Sequence, residues 1–329
     1  LWAVLLLVAY VATIAWLFAT AHGLNDHQGR PLGSDFSNIY TAGVEANAGR
    51  ATDIYDPAKH AAAERAIFGA QTPFYGWHYP PFLLLIASLL GYLPYLAALF
   101  VWQAVTFALY IGAMNLLLRR ARIDVPAKSW LLFAIAFPAV LANLLAGHNG
   151  FLTAALLAGA LALLDEQPIL AGLLFGALAY KPQFGLMIPL ALLATGRWRS
   201  IAGAVATVAA LALACTAVFG TEIWSAFRGS EEFTRTVVLE QGGTGFYRII
   251  SMFAWVRLWG GGVPLAYALQ FLVTILCAVA VVKLWRSEVS REIKGAALCI
   301  AGILATPYSL DYDLMALAPA IALLAADGI

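Results

Sequence analysis

The residues able to do chemistry in this chain are few and stand at separate places. Asp35 lies in Gly33-Ser34-Asp35-Phe36-Ser37-Asn38-Ile39-Tyr40, where a carboxylate near membrane level is either a functional group or the cap of a short helix over 36–48. Tyr79 follows Trp77-His78 and precedes Pro80-Pro81. That run serves as an interfacial aromatic belt and helix start, or as a source of polar contacts. Gly147-His148-Asn149-Gly150 is a tight polar turn between two apolar stretches. Turn chemistry alone explains its Gly and Asn, and a ligand contact explains them equally. Lys181-Pro182-Gln183 sets a lone cation between two apolar segments with no acid nearby in sequence. Such a charge requires an anionic ligand, a distant carboxylate or a path to water. Pro307-Tyr308-Ser309-Leu310-Asp311-Tyr312-Asp313 brings two acids and two tyrosines to one junction, for capping or for binding. No HExxH, GxSxG, Walker or GxGxxG pattern accompanies them. Cys215, Cys277 and Cys299 lie in apolar runs and supply neither a disulfide framework nor a CxxC metal site.

The elements that must position these groups are set by composition. Of 329 residues, 62% are apolar and only 11% charged, and the mean hydropathy is +0.83. A soluble domain carries about 25% charged residues, so a soluble protein, a disordered one and a singly anchored enzyme are excluded. A net charge of +1 leaves no basic face for nucleic acid. The apolar blocks run over 1–21, 80–92, 94–118, 128–146, 150–164, 168–180, 184–195, 200–220, 264–286, 295–306 and 313–326. They predict an all-α polytopic membrane protein with about 10–11 transmembrane segments, several of them too short to span lipid unaided. Leu1 is not a Met and both ends are apolar, so both termini are expected to be incomplete.

The connectors divide by charge. Arg119, Arg120, Arg122 and Lys128, then Arg197 and Arg199, then Lys283, Arg286, Arg291 and Lys294 mark the cytoplasmic side by the positive-inside rule. Segments 22–79, 147–150, 181–183, 221–263 and 307–313 then face outward. All five histidines and 12 of the 18 acids fall there, so any reaction is expected at the outer face. Parity makes 80–92 a half-helix or bent extension; the alternative is a full span with the Arg cluster facing outward. The long outer loops read as structured. Asp56-Pro57 opens a helix over 57–69 with His60 and Glu64 one turn apart. Loop 221–263 mixes Trp224, Phe227, Phe233, Phe246, Tyr247, Phe253, Trp255 and Trp259 with polar residues, as amphipathic helices at headgroup depth do.

The order of these motifs resembles glycosyltransferase family 87, the polyprenyl-phosphate-mannose-dependent mannosyltransferases of the GT-C class. Gly-Ser-Asp-Phe-x-x-x-Tyr-x-Ala-Gly after the first span, Asp53-Ile54-Tyr55-Asp56, Tyr79-Pro80-Pro81, the Gly-His-Asn-Gly turn, Lys181-Pro182-Gln183 and Pro307-Tyr308…Tyr312-Asp313-Leu314 carry the resemblance over about residues 1–326. The turn departs from the family in having His148 where Gln is frequent. The resemblance implies one GT-C transmembrane domain over 1–329, with 22–79 and 221–263 as its outer loops, and a site facing outward from the cytoplasmic membrane. It implies a lipid-linked sugar phosphate as donor, a lipid-linked or glycan acceptor, and inversion, with no cofactor and no metal. Asp35 is the implied general base. Lys181, Arg248 and His148 are the residues expected at the donor phosphate. Tyr79, Asn149, Gln183, Tyr308 and Asp313 are expected at sugar or acceptor. Two other classes of function fit the composition. A transporter or lipid flippase would use midplane polar groups and broken helices, but would often show two related halves, and no internal repeat is evident. A non-catalytic homologue would serve within a larger membrane complex.

Overall fold

A computed structural model describes residues 1–121 and 126–328. Arg122 and the side chain of Lys128, both assigned above to the basic cytoplasmic set, lie outside the described residues. The described chain folds as helices α1 (Trp2–Ala19), α2 (Ser34–Asn47), α3 (Pro57–Phe68), α4 (Leu84–Leu90), α5 (Tyr95–Arg120), α6 (Ala127–Ala136), α7 (Pro138–Ala146), α8 (Gly150–Leu163), α9 (Pro168–Ala177), α10 (Met187–Ala194), α11 (Trp198–Phe219), α12 (Glu222–Phe233), α13 (Met252–Leu258), α14 (Val263–Arg286), α15 (Arg291–Leu304) and α16 (Leu317–Asp327). No β-sheet occurs among the described residues. This is an all-α polytopic membrane protein.

Four described helices, α1, α5, α11 and α14, are long and apolar enough to cross a bilayer, and the bent pair α6–α7 makes a fifth if counted as one span. The other apolar blocks form shorter helices, such as Pro81–Leu90 and Gly150–Leu163. Fourteen residues of α8 rise only about 21 Å, less than a hydrocarbon core of about 30 Å. Most of α8 is packed inside protein, which is where a short helix with polar ends is tolerated in a membrane.

Two boundaries differ from the sequence reading. The block 128–146 breaks at Phe137, whose extended backbone (φ −60°, ψ 127°) separates α6 from α7 with a bend of 53°. Pro138 supplies the cause, because it lacks an N–H and disfavours a helical residue before it. The break strands the Ala136 carbonyl, which accepts the Tyr10 hydroxyl at 3.0 Å. Tyr10 is the buried residue of α1. The second difference concerns Asp35. Gly33, in the left-handed region at φ 71°, takes the N-cap position, and α2 starts at Ser34. Asp35 therefore lies inside the first turn and is not the cap.

The described residues form two compact units, each with its own core. The first comprises Leu1–Ala108, Val125–Asn149 and Leu211–Glu232; the second comprises Leu109–Asp124, Gly150–Ala210 and Phe233–Ile329. In the first, α2 buries Phe36, Ile39 and Ala42, and α4 buries Leu84, Ala87 and Leu90. Gly43 lets these two helices touch backbone to backbone: a Cβ there would stand 1.9 Å from the Ala87 carbonyl oxygen. In the second unit α8, α10, α15 and α16 bury Phe151, Met187, Leu298 and Ala320. The buried Gln270 of α14 accepts from the Phe253 N–H at 3.2 Å and donates to the Leu304 carbonyl at 3.0 Å, so one side chain ties α13 and the end of α15 to α14.

Both long connecting segments, 22–79 and 221–263, contain helices, as expected. Asp56 caps α3 by accepting from Ala58 and Lys59 N–H at 2.9 and 3.1 Å, with Pro57 next in line. Of the aromatics in 221–263, Tyr247, Trp255 and Trp259 are exposed, as an interfacial position requires. Phe253 is instead fully buried and joins Leu239, Val256 and Ala266 in a small core.

Candidate active site

In the first unit the polar residues gather around the start of α2. Asp35 is 9% exposed in the first helical turn, where free backbone N–H groups and the helix dipole favour a carboxylate. The 147–149 turn packs directly on this turn of helix. Gly147 has φ 65°, and a Cβ on it would fall 2.6 Å from the Phe36 Cβ and 3.5 Å from the Gly33 Cα. Gly147 is thus needed twice, for its backbone conformation and for the close approach. Its carbonyl accepts the Trp102 indole N–H at 3.0 Å, which pins the turn. His148, 3% exposed, then meets Tyr79: the phenol oxygen and Nε2 are 2.8 Å apart. The Tyr79 carbonyl accepts the Tyr55 hydroxyl at 3.0 Å, so the Asp53-Ile54-Tyr55-Asp56 motif supports the Tyr79–His148 pair from behind. Asn149 is fully buried at the end of this turn.

The second unit gathers a different set at the junction before α16. Lys181 Nζ pairs with Asp313 Oδ1, both side chains 2% exposed. Of the ways to compensate the lone cation, the structure shows the distant carboxylate, 132 residues away in sequence. Asp313 has a second duty, accepting the Leu310 N–H on Oδ2 at 3.0 Å; the capping role and the pairing role coexist. Arg248 reaches the same junction because the Ile250 N–H bonds the Ser309 carbonyl at 2.7 Å beside an Ile249–Leu310 bridge. Its guanidinium lies 3.7 Å from Asp311 Oδ2 and is partly exposed. The Tyr312 ring faces both cations, 5.6 Å from Lys181 Nζ and 6.0 Å from Arg248 Cζ, within cation–π range. Tyr180 and Thr153 exchange a hydrogen bond of 2.7 Å within the same unit.

The structure thus brings Lys181, Arg248 and Asp313 into one cluster and joins Tyr79 with His148 in another. Gln183 is half-buried with no hydrogen bond of its side chain among the described residues. Tyr308 packs against the small apolar core around Phe253. Asp311 and Tyr312 stand in the 307–313 motif but carry no assigned site role in the sequence; the fold shows that they face Arg248. The family model for glycosyltransferase family 87 matches residues 77–307, more than two thirds of the chain. The chain belongs to glycosyltransferase family 87. It is a membrane glycosyltransferase by that membership. The family 87 match includes Tyr79, His148, Asn149, Lys181, Gln183 and Arg248; Asp35, Tyr308 and Asp313 flank it. No curated protein and no solved structure matches the chain.

A further pair of titratable groups emerges in the 22–79 segment of this family 87 chain. His60 and Glu64 of α3 are fully buried side by side, Nε2 to Oε1 3.7 Å, and Glu64 Oε2 accepts the Tyr75 N–H at 3.0 Å. Burial pushes the Glu64 carboxyl up to about 8 and the His60 imidazole down to about 4, so both are neutral at pH 7. The raised carboxyl contributes stability that is complete below its ordinary value of 4.5 and lost as pH rises through 8. The depressed imidazole contributes stability that is complete above 6.5 and lost as pH falls through 4. Amide exchange in 57–78, corrected for intrinsic rate, should accelerate along both arms. Glu64→Gln should flatten the alkaline arm alone; an alkaline arm surviving in that variant would place the titrating group elsewhere.

Proposed function

We propose that the protein transfers a sugar, with mannose as the leading candidate, from a polyprenyl-phosphate donor to a lipid-linked or glycan hydroxyl at the outer face of the cytoplasmic membrane, with inversion. Asp35 accepts the proton of the acceptor hydroxyl as its oxygen attacks the anomeric carbon. The bond from that carbon to the phosphate oxygen breaks, and the electron pair leaves with polyprenyl phosphate. One carboxylate suffices because the leaving group is already an anion, and a positioned general base contributes roughly 10²–10⁴-fold. Orientation and charge stabilisation at the departing phosphate supply the remainder.

The observation that carries this reading is the placement of Asp35, nearly buried in the first turn of α2 and backed by the 147–149 turn. We assign donor phosphate contact to Arg248 first, because it is the partly exposed cation and its pair with Asp311 is long. Lys181, already neutralised by Asp313, acts with it by holding the junction and its field in place. His148 contributes a hydrogen-bonding ring, with Tyr79 and Asn149 beside it. Tyr308, Gln183 and Asp313 remain assigned to sugar or acceptor. The scheme needs neither cofactor nor metal.

The test is a donor panel with the protein embedded in membrane. Polyprenyl-phosphate mannose should give a glycosylated product of inverted anomeric configuration, and a nucleotide sugar should give none. Transfer from the nucleotide sugar, or retention of configuration, would overturn the proposal.

A further inference from the structure

The second unit holds a cavity of about 50 Å³ far from the Lys181 junction. The two lie near opposite ends of α8: Thr153, bonded to Tyr180, stands by its start, whereas Asp165 and Glu166 of the cavity wall follow its last residue, Leu163. Fourteen residues of helix separate such ends by about 21 Å. The cavity is therefore not part of the proposed transfer site.

Its walls combine an apolar floor with a charged rim. Leu117, Leu164, Leu323 and Trp285 form the buried floor. On the rim Arg197 pairs with Asp165 at 2.7 Å, Arg291 with Glu292 at 2.8 Å, and Arg120 with Glu166. Arg291 also donates to the Arg120 carbonyl, and Arg197 stacks 6.0 Å from the Trp285 ring. These contacts make the rim a braced ring of three matched ion pairs. Lys294, also on the wall, has no ion-pair partner among the described residues. Its backbone carbonyl is held by the Trp285 indole N–H at 2.9 Å, which fixes where its side chain starts. Among the described residues the rim is thus one positive charge in excess, and Lys294 carries it.

The depth of the cavity says what can reach it. Two candidate membrane spans end there: α5 closes on Arg119 and Arg120, and α14 on Lys283 and Arg286. This is the level where hydrocarbon gives way to headgroups, and basic pockets between spanning helices at that level take anionic headgroups. Room for one water requires roughly 10–15 Å³, so this cavity holds a group of several heavy atoms. A single excess charge matches a phosphodiester, which carries one negative charge, better than free inorganic phosphate, which carries more. The rim carboxylates are acceptors suited to hydroxyl donors next to the phosphate.

We propose that this cavity binds the headgroup of an anionic glycerophospholipid, its phosphodiester on Lys294 and its polar hydroxyls toward Asp165 and Glu166. The inference stands apart from the proposed sugar transfer, and its test does not read activity.

The experiment uses the full chain, purified and delipidated in detergent, with retained lipid counted by native mass spectrometry. The probes are dioleoylphosphatidylglycerol, dioleoylphosphatidylcholine and inorganic phosphate. Phosphatidylglycerol should bind the wild-type chain more tightly than phosphatidylcholine, and inorganic phosphate should not displace it. One basic residue near an anionic surface is worth a factor of roughly five, so Lys294→Gln should weaken phosphatidylglycerol roughly fivefold and Lys294→Glu roughly thirtyfold. Phosphatidylcholine, whose trimethylammonium cancels its phosphate charge, should lose less than phosphatidylglycerol in both. The charge-neutral variant decides the matter if the charge-reversed one fails to fold. Equal binding of the two lipids, displacement by inorganic phosphate, or wild-type affinity in the Lys294 variants would each overturn the proposal.

Discussion

Asp35→Asn should abolish sugar transfer while leaving the donor bound. The substitution preserves shape and removes the basic oxygen, so the acceptor hydroxyl keeps its proton as it attacks. A general base contributes roughly 10²–10⁴-fold, and the turnover rate should fall by that factor. Donor affinity should change little, because the loss lies in the transition state and not in the ground state. The fold is expected to tolerate the change. Asp35 is not the cap of α2, since Gly33 fills that position, and Asn matches Asp in size. Turnover by single-cycle product formation, alongside donor binding to the same preparation, separates the two effects. Unaltered transfer would remove Asp35 from the mechanism.

The second large effect concerns the buried pair at the other polar cluster. Lys181→Met leaves the Asp313 carboxylate buried without its cation, and removing one member of such a pair costs about 3–5 kcal/mol. Asp313→Asn removes the carboxylate charge that Lys181 pairs with, although its amide oxygen can still receive the Leu310 N–H that Asp313 now holds. The double variant Lys181→Met, Asp313→Asn contains no stranded charge. It should therefore recover most of the stability lost by either single change, an interaction that a double-mutant cycle reads directly. Thermal melting of the four proteins in one detergent measures it. Additive losses would show that the two residues act independently. The refolded double variant then becomes the reagent for the Lys181 assignment, because donor binding at wild-type affinity would leave the phosphate to Arg248.

Much of the architecture was legible because membrane helices are written in long apolar runs with charged ends. Asp56-Pro57 announced α3, and the structure realises the cap atom for atom. The break at Phe137 was harder to see. Pro138 is visible in the sequence, but the run is apolar on both sides of it and a continuous span is the simpler reading. Lys181 illustrates the limit at the site. Its need for compensation follows from its surroundings, yet two acids stand at the 307–313 junction, and only packing selects Asp313 for Lys181 and Asp311 for Arg248. Glu64 was visible one turn from His60. That both are sealed from water depends on how residues 72–78 fold over α3, and no local pattern encodes that. The cavity beside Lys294 was invisible for a similar reason: its charges read as orientation signals until the helix ends that carry them converge.

The hydroxyl of Tyr10 on the carbonyl freed at Ala136 has a consequence for the first helix. Nearly every other residue of α1 is apolar and largely unburied, so hydrophobicity offers no reason to prefer one azimuth over another. A lone polar contact in a greasy setting does, because an orphaned carbonyl is costly there. Tyr10 therefore keys the helix as a dowel keys a shaft: it sets the angle about the long axis, and with it the direction from which the chain leaves α1 toward Asp35. The proline that breaks one helix thereby aims another.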